Sequence, residues 1–107
     1  MKLVFAVVNG DDTHRVGKAL AEGGYFATKL ASTGSFLSSG NTTFMICTDD
    51  DKVQGAVDII GEKSRKRKHL IQSAPSTGIG SSATFPVEVS VGGATIFVTD
   101  VERFEKV

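Results

Sequence analysis

Residues 28–43 read Thr28-Lys29-Leu30-Ala31-Ser32-Thr33-Gly34-Ser35-Phe36-Leu37-Ser38-Ser39-Gly40-Asn41-Thr42-Thr43, a run of hydroxyls, an amide and small residues around one apolar pair. Glycine and serine let backbone N–H groups approach a ligand closely, while Asn41 and the hydroxyls supply directed hydrogen bonds. Phe36 offers a face to a planar ring, and an apolar pair in a polar loop often holds something. By spacing alone Phe36 serves equally well as an anchor of the loop to the core. The chemistry that suits the run as a whole is the holding of a nucleotide.

Other chemistry has less to work with. No serine stands with a histidine and an acid as a triad, so no catalysis is expected. His14 and His69 lack partners at metal-ligand spacing, and no metal or cofactor is expected. Asp49-Asp50-Asp51 reads as the cap of a helix rather than a magnesium site. Gly92-Gly93 lacks the lysine of a phosphate loop and reads as a hairpin turn. Cys47, the single cysteine, sits in the apolar run Phe44-Met45-Ile46-Cys47 and is expected to be a buried small hydrophobe. The basic run Arg65-Lys66-Arg67-Lys68-His69 reads first as a solvated helix C-terminus, with phosphate binding or partner docking as the sharper alternative.

Elements must position these groups, and the totals bound them. A chain of 107 residues suits one domain, 1–107. Twelve basic and twelve acidic residues cancel, so global charge recruits neither nucleic acid nor membrane. No apolar stretch approaches a membrane span and no leader pattern opens the chain, so a cytoplasmic protein is expected.

Leu3 to Val8 is apolar on both faces and predicts a strand inside a sheet with both sides covered. Asn9-Gly10-Asp11-Asp12 supplies a turn and cap for a helix carrying Val16, Ala19 and Leu20, ended by Gly23-Gly24. Tyr25–Ala31 and Thr42–Thr48 predict two strands forming an antiparallel hairpin. Val53, Ala56, Val57 and Ile60 stripe a second helix that fades through Glu62 to Arg67. His69–Gln72 predicts a strand, residues 73–84 a flexible loop, and Pro86–Val91 with Ala94–Val98 a hairpin turned by Gly92-Gly93.

This order is the split βαβ plan: an α+β, ferredoxin-like βαββαβ sandwich with an additional hairpin and two helices on one face of an antiparallel sheet. The uncovered face is expected to pack against another copy.

With these elements in place, Thr28-Lys29-Leu30-Ala31, Thr33-Gly34, Phe36-Leu37, Gly40-Asn41-Thr42-Thr43, Pro86-Val87-Glu88-Val89 and Val91-Gly92-Gly93-Ala94-Thr95 closely resemble the PII-like cyclic di-AMP receptor family along nearly the whole chain. The resemblance implies a cytosolic homotrimer without catalysis. It would bind a cyclic dinucleotide in the clefts between subunits and signal through mobile loops to a downstream protein. It implies that Thr28 hydrogen-bonds a base or phosphate beside Ala27, that Phe36 and Leu37 pack on an adenine, that Asn41 reads a polar edge, and that Phe97 closes the pocket.

The sequence departs from that pattern at several positions. Gly24 and Phe26 stand where the family usually has an asparagine and an arginine, Ser35 and Cys47 replace glycines, and Lys106 replaces a glutamine. The 73–84 loop is shorter and lacks the usual tyrosines and second proline. Losing an arginine beside a phosphate removes a charge-assisted bond worth roughly 1.5–3 kcal/mol, or about tenfold to a hundredfold in affinity. The resemblance therefore implies a divergent member, with a trimeric interaction module that has lost or changed its nucleotide as the alternative. An ordinary PII protein answering ATP and a keto acid fits less well, because the loop at 38–41 is short.

Overall fold

A computed structural model describes residues 1–30, 40–72 and 86–107. β1 (Lys2–Asn9) leads through a 3-10 turn at Gly10–Asp12 into α1 (Thr13–Glu22). Then come β2 (Ala27–Leu30), β3 (Asn41–Thr48), a 3-10 turn at Asp50–Lys52, α2 (Val53–Lys63), β4 (Arg67–Gln72), β5 (Pro86–Val91) and β6 (Ala94–Asp100). Four strands form one antiparallel sheet in the order β2-β3-β1-β6, with the two helices packed on one face. This is the ferredoxin-like arrangement expected from the sequence.

The alternation of each strand decides what the helices cover. Val4, Ala6 and Val8 of β1, with Phe44 and Ile46 of β3, turn toward Val16 and Leu20 of α1 and Ala56 and Ile60 of α2, and all nine are buried. Val53, Ile59, Tyr25 and Ile96 pack around them. Gly23 ends α1 as expected, and Gly24 continues with a φ of +86°, a conformation that favours glycine.

Four expectations are corrected. β5 pairs with β4 rather than β6, so the additional hairpin is β4–β5, a separate two-stranded sheet. β6 instead runs antiparallel along β1, from Ala94 opposite Val8 to Asp100 opposite Lys2. The physical reason is that β1 is an interior strand, and β6 fills its second side, the one that β3 leaves free. Gly92 and Gly93, at φ of +89° and +80°, make the passage between sheets, and the Gly93 N–H donates to the Ser64 carbonyl. A Cβ on Gly92 would lie 2.6 Å from the Arg65 carbonyl oxygen, so the turn is pressed against the basic run.

That run is not a helix end. Ser64 closes α2, with its N–H on the Ile60 carbonyl at 3.0 Å, and Arg67 and Lys68 already belong to β4. The aspartates cap less than expected. Asn9 caps the first 3-10 turn by accepting from the Asp11 N–H at 2.8 Å, whereas Asp12 and Asp49 make no side-chain cap bond. Asp50 instead takes the N-terminal ammonium at 2.8 Å. Finally, Cys47 is exposed, because strand alternation places it with Leu3 and Thr99 on the face away from the helices.

Candidate functional site

β2 is an edge strand, and a cleft of about 590 Å³ lies between it and α1. Ala27 and Thr28 line it, with Lys18 and His14 from α1, Lys29 from β2, and Phe26 just before that strand. Phe26 is 91% exposed. An accessible aromatic ring beside two lysines combines a stacking surface with charges suited to phosphate, whereas Thr28, in register with Met45, directs its side chain to the sheet face away from α1. At the mouth of this region, the Thr13 hydroxyl donates to that of Thr42 at 2.8 Å and ties α1 to β3.

Asn41 opens β3 opposite Asn9 and lines a second cleft, of about 370 Å³, with Lys66, Gly92, Gly93 and Thr95. Phe97 lies elsewhere again. Thr28, Met45, Phe5 and Phe97 form one row across the sheet, with Thr28 and Phe97 on its two opposite edges. Three strand spacings put about 14 Å between their backbones. Within one subunit the structure therefore brings Ala27 and Thr28 together but sets Asn41 and Phe97 apart from them. Phe36 and Leu37, like Ser35 and the 73–84 segment, lie outside the described residues.

The chain as a whole matches the cyclic-di-AMP receptor family over residues 1–107. It belongs to that family. It is also similar to the crystal structure of a functionally unknown protein from Pediococcus pentosaceus ATCC 25745, with 37% identity and a TM-score of 0.75. That alignment covers 99% of this chain and 96% of the other.

Sequence reasoning missed two groups in this family member. One is the surround of Thr28: Phe26 was read only as a lost arginine, and Lys18 and His14 could be placed only once α1 was docked beside β2. The other is Asp12, completely buried, whose carboxylate holds Arg15 and, at 2.9 Å, Arg67. Only the Asp12–Arg15 spacing of three along a helix start was visible as a signal. Among the described residues no histidine, cysteine and carboxylate cluster could hold a metal, and no helix is long and apolar enough to cross a membrane.

Proposed function

We propose that this chain is a non-enzymatic receptor for a cyclic dinucleotide, cyclic di-AMP first, acting as a homotrimer with the ligand in the clefts between subunits. The family match across all 107 residues carries this reading. Two features support it. The sheet face away from the helices presents Leu3, Phe5, Met45 and Cys47, an apolar surface of the kind that association buries. And Thr28 and Phe97 stand on opposite sheet edges, so neighbouring copies offer a way for one ligand to meet both.

In this reading Thr28 and Asn41 hydrogen-bond the ligand, Ala27 lines its pocket, and Phe36, Leu37 and Phe97 pack on its bases. Binding then rearranges loops that address a downstream protein in the cytoplasm. Isothermal titration with cyclic di-AMP, cyclic di-GMP, the mixed dinucleotide and ATP tests it. Cyclic di-AMP is expected to bind best, and silence toward all four would overturn the reading. Phe36→Ala should cost about 1–3 kcal/mol through lost stacking. Sedimentation should give three times the chain mass, and Phe5→Asp, on the open face, should reduce it.

A second reading draws on Gly24 and the exposed Phe26, which stand where the family has polar ligand contacts. It makes the chain a trimeric protein-interaction module with a lost or altered ligand. A stable trimer whose melting temperature no nucleotide shifts would favour that reading.

A further inference from the structure

Where the start of α1, the end of α2 and the start of β4 meet, Arg15, Lys63, Arg65, Lys66, Arg67 and Glu62 line a depression of about 510 Å³. Five cations face one rim carboxylate, with the buried Asp12 beneath. Arg15 and Arg67 are fixed by that carboxylate, and backbone carbonyls steady them further. The Arg15 Nε–H donates to the Lys63 carbonyl at 3.1 Å, and Arg67 donates to the Arg65 carbonyl at 3.3 Å. Both guanidiniums keep solvent-accessible surface, so they stand pre-oriented with little ordering left to do on binding.

Lys63 leans toward Glu62 at 3.9 Å, whereas Arg65 and Lys66 are exposed and have no acidic partner among the described residues. Their backbone is held in place all the same. The Gly92-Gly93 turn packs on it, so that a Cβ on Gly93 would sit 2.9 Å from the Lys66 Cγ. This is a rigid base carrying two unneutralised charges beside two fixed guanidiniums.

We propose that this depression docks an acidic segment of another protein. Its lining contains no aromatic side chain on which a base could stack. A nucleic acid would also need a basic surface continuing beyond it, on a chain whose net charge is zero. The volume far exceeds what one phosphate fills, whereas carboxylates spaced along a peptide meet cations spread over three elements. The site is independent of the nucleotide reading and shares only Lys66 with the Asn41 cleft.

Fluorescence anisotropy of the full-length protein with a short labelled peptide alternating glutamate and serine tests this. Binding is expected at low ionic strength, weakening as salt shortens the Debye length. Joint substitution Arg65→Glu and Lys66→Glu should weaken it about tenfold or more, while Lys52→Glu, on a distant exposed residue, should leave it unchanged. If the glutamate pair fails to fold, Arg65→Gln with Lys66→Gln gives the same answer at smaller amplitude. No binding to the wild type, or equal binding to the substituted proteins, would overturn the proposal. So would binding of tripolyphosphate or a single-stranded oligonucleotide at Arg65 and Lys66 without binding of the peptide.

Discussion

The two faces of the four-stranded sheet are built from similar residues and meet different fates. On one, Val4, Ala6, Val8, Phe44 and Ile46 are sealed beneath α1 and α2. On the other, Val7 and Thr43 are buried at one end, but Leu3, Phe5 and Met45 are only half-buried and Cys47 is exposed. The covered face stabilises the single chain. The open one has comparable apolar character with nothing from the described helices above it, which leaves it available to association. One alternating strand therefore seals its even positions, Val4, Ala6 and Val8 of β1, and leaves odd positions such as Leu3 and Phe5 without helix cover.

Truncation of neighbouring residues on β3 should separate the two faces most strongly. Phe44→Ala should cost about 3–5 kcal/mol in urea unfolding, because it empties a filled core. Met45→Ala, one residue along, should cost about 1 kcal/mol or less for the isolated chain. Its cost should grow with protein concentration if copies cover that face. Equal, concentration-independent costs would erase the distinction between the faces.

Asp12→Ala removes the carboxylate that anchors Arg15 and Arg67 beside the covered layer. Loss of charge-assisted bonds should destabilise by about 1.5–3 kcal/mol, read as a lower urea midpoint. Retention of full stability would show that the two arginines resolvate without loss.

Thr43 offers a smaller effect of opposite sign. It lies on the open face between Leu30 and Val7, yet is 3% exposed, and its hydroxyl has no hydrogen-bond partner among the described residues. Thr43→Val should raise stability by about 1 kcal/mol, since it removes a desolvated polar group without changing shape. A loss of stability would mean that the hydroxyl is used.

The smallest effect belongs to the chain's start. Hydrogen bonding to Asp50 raises the N-terminal amine above its ordinary 8.0, and the same bond lowers Asp50 below 3.8. The pair's contribution is complete between those ordinary values. It fades as pH rises through the raised amine value or falls through the lowered carboxylate value. Acetylating the amine should flatten this slight dependence in thermal melts across pH.

Several features were legible because their signals are local. The Val16–Leu20 and Val53–Ile60 stripes specify helices by period, and the β1 run specifies an interior strand by its unbroken apolarity. The β5–β6 hairpin was misread because a two-glycine turn between strand-like runs looks the same whether those runs pair with each other or with distant partners. Cys47 was misread for a related reason. An apolar run does not reveal which of its alternating faces finds cover. Thr28 and Ala27 were recognisable as candidates from residue type and family pattern, but Lys18 and His14 lie on a helix that only docking brings beside them.

By itself the sequence determined the element types, their order, the split βαβ plan and the family, because turns, caps and periodicities act over a few residues. The tertiary structure alone decided that β5 pairs with β4 and β6 with β1, which sheet face is sealed, and that Arg67 crosses from β4 to a buried carboxylate at the start of α1. Those outcomes depend on contacts between residues far apart in the chain, where competing pairings have similar local signals and only the packed whole selects among them.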